Sequence, residues 1–395
     1  MRFEIVTAGR VVFGRGAAGE IGSLVRDLGH RALVVTGRSS ERAERLSSSL
    51  AGARIALATF SVEGEPSIAT VEAGVAAARA HGCDLVIGVG GGSAIDAAKA
   101  IAALGPLEAD LFDHLEVIGR GLPLPRPGLP CVAVPTTAGT GSEVTRNAVL
   151  TSPAHRLKVS LRSPFLLPRL ALVDSELTIG LPGALTAATG LDALTQLVEP
   201  YLSSRASPFT DALCEEGLPR AARSLLAACR DGSDRQARDE MSMASLFSGM
   251  ALANAGLGAV HGFAGTIGGI FAAPHGAICA ALLPHVMREN LRAIRSRAPG
   301  HPVLPRFTDV ARLLTGAPAA SADDGVAWVH ALVRELNIPP LTTYGLTPAD
   351  VPAIVVQAAR SSSMKGNAIA LESDELARML TAAMDGGEPP PPTRP

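Results

Sequence analysis

A chain of 395 residues with 47% hydrophobic and 18% charged side chains can bury a large core, and it is too apolar to stay disordered. Its formal net charge of −2 gives no basic field for nucleic acid or anionic lipid, and aromatics at 3% give no stacking platform for bases. The opening MRFEIVTAGRVVFGRG has no apolar signal run, and stretches such as 277–284 fall far short of a membrane span, so a cytoplasmic protein with no nucleic-acid or membrane partner is expected.

Short apolar runs alternate with helix-period segments through the first half. Ala32–Val35 reads as a buried strand and Ser40–Leu50 as the helix after it, capped by Ser39 or Ser40. Ile55–Phe60 reads as a second strand and Ser67 to about Ala80 as a helix. Asp84–Gly88 is a third strand, ending in a glycine cluster that opens a helix at Ser93. Cys131–Val134 is a fourth and runs into a Thr/Gly loop. Such alternation implies a parallel sheet covered on both faces, with ligands at the carboxyl ends of its strands. After Asp174 the strand-like runs stop. Helices are expected at 184–202, 208–228, 235–254, 256–270, 278–290, 305–314, 324–336, 349–360 and 372–384. The reading is an α/β domain over 1–180, an all-helical domain over 181–385 and a floppy tail over 386–395. The cysteines (Cys83, Cys131, Cys214, Cys229, Cys279) are scattered, odd in number and without a CxxC pair, which fits reduced thiols buried as small apolar groups.

Two loops carry nucleotide chemistry. Gly90-Gly91-Gly92-Ser93, with Asp96 one turn on, sits where a strand turns into a helix, so backbone can approach a ligand and helix-start N–H groups can bind phosphate. Alone, such a turn is equally well a steric device. The second loop, Pro135 to Glu143, gathers Thr136, Thr137, Thr140 and Ser142 with two glycines at another strand end, and the two loops converge on one crevice. In the helical half, Asp192, His261 and His275 make a three-ligand set for Zn²⁺ or Fe²⁺ with a position open for substrate oxygen. Spacing alone does not single these out from nine histidines.

At this point the chain resembles the iron-containing alcohol dehydrogenase family (group III), which shares its architecture with glycerol dehydrogenase and dehydroquinate synthase. The resemblance rests on GGGSAIDAAK at 90–99, PTTAGTGSEVT at 135–145, ALVDSELT at 171–178, TGLDAL at 189–194 and HGF…PHG across 261–276. It implies NAD(P)-linked alcohol or aldehyde chemistry and a homodimer or larger homo-oligomer. Carried over by motif, Gly91, Gly92, Ser93 and Asp96 meet the pyrophosphate side of the cofactor. Thr136, Thr137, Thr140 and Ser142 contact the rest, Lys158 approaches the ribose, and Asp192, His261 and His275 hold the metal.

Three positions depart from the family pattern. Four residues after Asp192 the family usually has His; here Gln196 offers only a carbonyl oxygen as a weaker ligand. A second common His is replaced by Gly265, so a proton relay must use another group. The Asp that often ends the first strand and repels a 2′-phosphate is Gly37, followed by Arg38, Ser39 and Ser40, which favours NADPH. The expected activity is metal-assisted hydride transfer between NAD(P)H and a small carbonyl compound, with Arg146, Arg162 or Lys365 as grips for an anionic substrate end. Alternatives are a metal-independent enzyme like maleylacetate reductase, a lyase like dehydroquinate synthase, and a non-catalytic nucleotide binder.

Overall fold

The computed structural model describes residues 2–38, 41–108 and 110–385. Its first half contains β1 (Val11–Phe13), α1 (Ile21–Val25), β2 (Arg31–Thr36), α2 (Glu41–Gly52), β3 (Ala56–Ser61), α3 (Ile68–Ala80), β4 (Leu85–Gly90), α4 (Gly92–Leu104), α5 (Leu111–His114), β5 (Cys131–Pro135), β6 (Asn147–Ser152), β7 (Leu157–Arg162) and β8 (Leu170–Val173). Six of these strands form a parallel sheet in the order β1-β8-β5-β4-β2-β3, while β6 and β7 pair as an antiparallel ribbon. The centre strands β4 and β5 are buried along their whole length, as their unbroken apolar runs require. One face of the sheet packs Ile21, Leu46 and Leu50 from α1 and α2 against Leu85 and Ile87. The other packs Val71 and Ile101 from α3 and α4 against Leu33 and Val86.

The second half contains α6 (Gly183–Leu202), α7 (Pro208–Arg230), α8 (Arg235–Ala255), α9 (Ala259–Ile270), α10 (His275–Arg297), α11 (Leu304–Thr315), α12 (Ala322–Glu335), α13 (Val351–Ala358) and α14 (Ser373–Asp385). Together they enclose one large apolar core. Helix α6 runs through its middle and is buried all round from Gly190 to Leu202. Among the described residues no single helix is long and apolar enough to cross a membrane. The bent pair α8 and α9 comes nearest, and Met241, Ala244, Val260 and Phe263 on it belong to the interior of the helical core.

The main elements lie within a few residues of their expected places. Strands β1, β6, β7 and β8 were not expected. Helix α9 starts at Ala259 rather than Gly256, and α10 starts at His275 rather than Ile278, a difference that matters at the site. Ser67 caps α3 by accepting from the Thr70 N–H. The expected cap at Ser39 or Ser40, the expected tail over 386–395 and Ala109 lie outside the described residues.

Candidate metal and nucleotide site

The sheet order reverses between β2 and β4, which places a crevice at their carboxyl ends. Gly90 closes β4 there beside Gly37, which follows β2. Helix α4 opens at Gly92 with no side-chain cap, so its first-turn N–H groups point into the crevice unclaimed by a capping side chain. The Pro135–Glu143 loop folds over this turn, and the Thr136 N–H donates to the Gly90 carbonyl at 2.9 Å. A Cβ on Gly91 would lie 3.3 Å from Thr137 Oγ1, and one on Gly92 would lie 2.7 Å from Thr140 Cγ2. Any larger residue at Gly92 would therefore push the second loop off the first.

The same loop is seated on the helical half. A Cβ on Gly139 would lie 2.7 Å from Thr189 Cβ on α6, and one on Gly141 would lie 2.4 Å from Gly249 Cα on α8. Gly141 also holds a left-handed φ of 59°. Nucleotide loop and metal-site helix thus touch backbone to backbone, three residues ahead of Asp192.

Some expected cofactor contacts are spent within the protein. Asp96 accepts from Ser142 Oγ and from the Val149 N–H, and pairs with buried Lys99 at 3.0 Å. A carboxylate beside a pyrophosphate would repel it, and here Asp96 instead ties α4 to the loop and to β6. Lys158 is buried on β7 and pairs with Glu65 at 2.6 Å, with its ammonium against Gly268 of α9. Arg162 pairs with Glu116 at 3.0 Å rather than standing free for substrate. Arg38 is exposed, and Gly37 faces open space; Ser39 and Ser40, expected beside them, are among the residues not described.

On the helical side, α6, α9 and α10 bring Asp192, His261 and His275 together. Asp192 Oδ1 lies 3.4 Å from His261 Nε2 and 3.8 Å from His275 Nε2, and it is buried without a hydrogen-bond partner. Such an orphaned carboxylate oxygen costs free energy unless a cation completes it. The donor set, one carboxylate and two imidazoles, fits Zn²⁺ or Fe²⁺. Gln196, one turn after Asp192 on the same buried helix, accepts from Ser248 Oγ on α8 through its Oε1 at 3.2 Å. Its amide helps stabilise the Asp192 carboxylate.

Two groups that sequence reasoning passed over complete the picture. Glu199, seven residues after Asp192 on the same buried helix, accepts from His261 Nδ1 at 2.7 Å and from the Val260 N–H at 2.7 Å. This contact orients the ring so that Nδ1 faces Glu199 and Nε2 faces the cluster. Cys279 Sγ lies 3.8 Å from His261 Nε2 and 3.7 Å from His275 Nε2. Both were legible in principle: Glu199 by its two-turn spacing from Asp192, and Cys279 by its one-turn spacing from His275.

Burial works against charge throughout this cluster. It opposes a charged Asp192, but the His261 and His275 imidazoles and Gln196 overcome it and hold the carboxyl below the usual range. It likewise opposes a protonated His261, which Cys279, Asp192 and Glu199 outweigh, so that imidazole stands well above its ordinary value. For His275 burial wins, aided by Lys158 and His261, and its pKa is pushed down to about 4. Burial pushes the Cys279 thiol up to about 12.

Residues 8–175 match the iron-containing alcohol dehydrogenase family, and residues 186–384 match its C-terminal family. The chain belongs to the iron-containing alcohol dehydrogenases. It is 38% identical over 384 residues to 1,3-propanediol dehydrogenase of Klebsiella pneumoniae, covering 94% of this chain and 96% of that one. A crystal structure of 1,3-propanediol oxidoreductase superposes with a TM-score of 0.90 at 35% identity, over 97% of this chain and 100% of that one. Sulfoacetaldehyde reductase from Bifidobacterium kashiwanohense, solved in complex with NAD⁺, superposes with a TM-score of 0.85 at 26% identity, over 97% of this chain and 99% of that one. As a member of this alcohol dehydrogenase family the protein is an enzyme that interconverts alcohols and aldehydes, which sets aside the lyase and the non-catalytic binder.

Proposed function

We propose that the protein transfers a hydride between a nicotinamide dinucleotide and a small aldehyde or ketone, assisted by one divalent metal ion per chain. The observation that carries this reading is the orphaned Asp192 Oδ1 within reach of two imidazoles, on the helix against which the nucleotide loop is packed. Residues 1–180 would hold the cofactor and 181–385 the metal and substrate.

When bound, the ion supplies Lewis-acid polarisation of the substrate carbonyl, and the nicotinamide supplies the hydride. The chain's own share is binding and orientation. The open first turn of α4 offers N–H groups to the pyrophosphate, while Thr136, Thr137 and Thr140 line the same crevice. Asp192, His261 and His275 hold the ion, and Glu199 keeps the His261 proton on Nδ1. The side chain of His275 is 33% exposed against 2% for Asp192, so substrate reaches the cluster from the His275 side.

The cofactor pocket favours NADPH at least as much as NADH. The residue directly after β2 is Gly37 rather than a carboxylate that would repel a 2′-phosphate, and exposed Arg38 follows it. The test of the whole reading is elemental analysis alongside aldehyde-dependent oxidation of NADH and NADPH. Asp192→Asn and His261→Ala should lose the metal and the activity together. Full turnover by metal-free wild type would favour instead a metal-independent reductase.

A further inference from the structure

Cys279 is part of the helical apolar core, and its sulfur also meets the polar cluster. It lies on α10 one turn after His275, on the same face, and it is fully buried. Its sulfur, Asp192 Oδ1, and one nitrogen each of His261 and His275 all lie within 4.8 Å of one another. We infer that Cys279 is the fourth protein ligand of the cation held by Asp192, His261 and His275. This rests on the metal reading above and adds to it.

The spacing supports four donors around one point. A tetrahedral zinc ion takes sulfur at ~2.3 Å and nitrogen or oxygen at ~2.0–2.2 Å, so its ligand atoms stand roughly 3.3–3.6 Å apart. The carboxylate–imidazole distances of 3.4 and 3.8 Å and the thiol–imidazole distances of 3.8 and 3.7 Å are already close to those edges. The orphaned Asp192 oxygen is aimed into the same space. Cys279 thus supplies a fourth donor beside Asp192, His261 and His275.

Binding is balanced without a redox partner. The Sγ–H bond breaks, Sγ gives its electron pair to the cation, and the proton leaves to solvent. A thiolate beside two imidazoles suits zinc better than iron. Zinc sites also expand from four to five ligands during reaction, which leaves a route for substrate at the exposed edge near His275.

The test loads full-length apoprotein with Co²⁺ under anaerobic conditions and follows the near-ultraviolet thiolate-to-cobalt band. Wild type should take up one equivalent, show the band and release a proton from the thiol. Cys279→Ser and Cys279→Ala should still bind cobalt, about tenfold or more weakly, but without the band. Cys83, Cys131, Cys214 and Cys229 lie outside the cluster, so the band reports Cys279. One equivalent of cobalt without the band in wild type, or a band surviving both substitutions, overturns the assignment of Cys279 alone. Wild type that takes up no cobalt overturns the metal reading as well.

Discussion

Glu199 grips His261 from the side away from the cluster, and that single contact decides which nitrogen is available to a cation. Glu199→Gln keeps the shape but weakens the pull on the Nδ1 proton, so metal affinity should fall by roughly 10- to 100-fold. Competition against a chelator measures it, and unchanged affinity would mean that packing alone orients the ring. At the other end of the crevice, a Cβ added at Gly37 meets no described neighbour within 4 Å, which makes Gly37→Asp a mild substitution to test. It should move the NADPH/NADH ratio of kcat/KM toward NADH by about tenfold or more, since one charge-assisted contact to phosphate is worth about 1.5–3 kcal/mol. A wild type that strongly prefers NADH and is indifferent to this change would place the adenosine elsewhere. The resemblance of the motifs pointed to Asp192, His261 and His275, which spacing alone did not single out, but it could not show that Asp96 and Ser142 satisfy each other. A side chain's partner across tens of residues is a property of packing, not of motif.

The element that organises the site is α6, a buried helix that carries Asp192, Gln196 and Glu199 through the apolar core. Its neighbour α10 meets it so closely that a Cβ on Gly276 would lie 2.3 Å from the Ala188 carbonyl. Gly276→Ala must therefore shift the turn that carries His275, at a cost of about 1–3 kcal/mol. A lower melting temperature and weaker metal binding are expected. Gly300→Ala, which faces open space, serves as the control. Equal melting temperatures for the two variants would show that α10 slides freely. The same helix explains what the sequence concealed. With its start placed at Ile278, His275 and Cys279 did not share a helical face; with its start at His275 they do. The ribbon of β6 and β7 was harder to see. Its burial alternates along Asn147–Ser152, but it pairs locally and stands outside the parallel sheet whose continuous apolar runs made β2, β4 and β5 readable. Strand β1 spans only Val11–Phe13, too short for a periodic signal.

For the molecule as a whole, pH stability carries a signature of the second loop. Glu143 is buried, and burial raises its carboxyl to about 7 against 4.5 for the free group. Below pH 4.5 the folded and unfolded chains both hold the proton. Between 4.5 and 7 the unfolded chain gives it up first, so stability falls as pH rises and levels off above 7. The penalty at pH 8 is on the order of 3 kcal/mol. Glu143→Gln should accordingly raise the melting temperature at pH 8 and leave it nearly unchanged at pH 4. An equal difference at both values would place the charge in a solvated setting.

The direct seat of the Pro135–Glu143 loop on α6 and α8 has a consequence for how the enzyme fills. Thr189, under Gly139, stands one helical turn before Asp192, so if the nucleotide settles the loop as proposed, it also settles the proposed ligand helix. Occupancy of the two sites is then thermodynamically coupled, and coupling is reciprocal. If saturating cofactor tightens the metal by some factor, saturating metal must tighten the cofactor by the same factor. Calorimetric titrations in both orders of addition should return one coupling constant different from unity. A constant of unity would make the loop and the helix neighbours that do not communicate. With positive coupling, enzyme stripped of its metal would also release its nucleotide more readily.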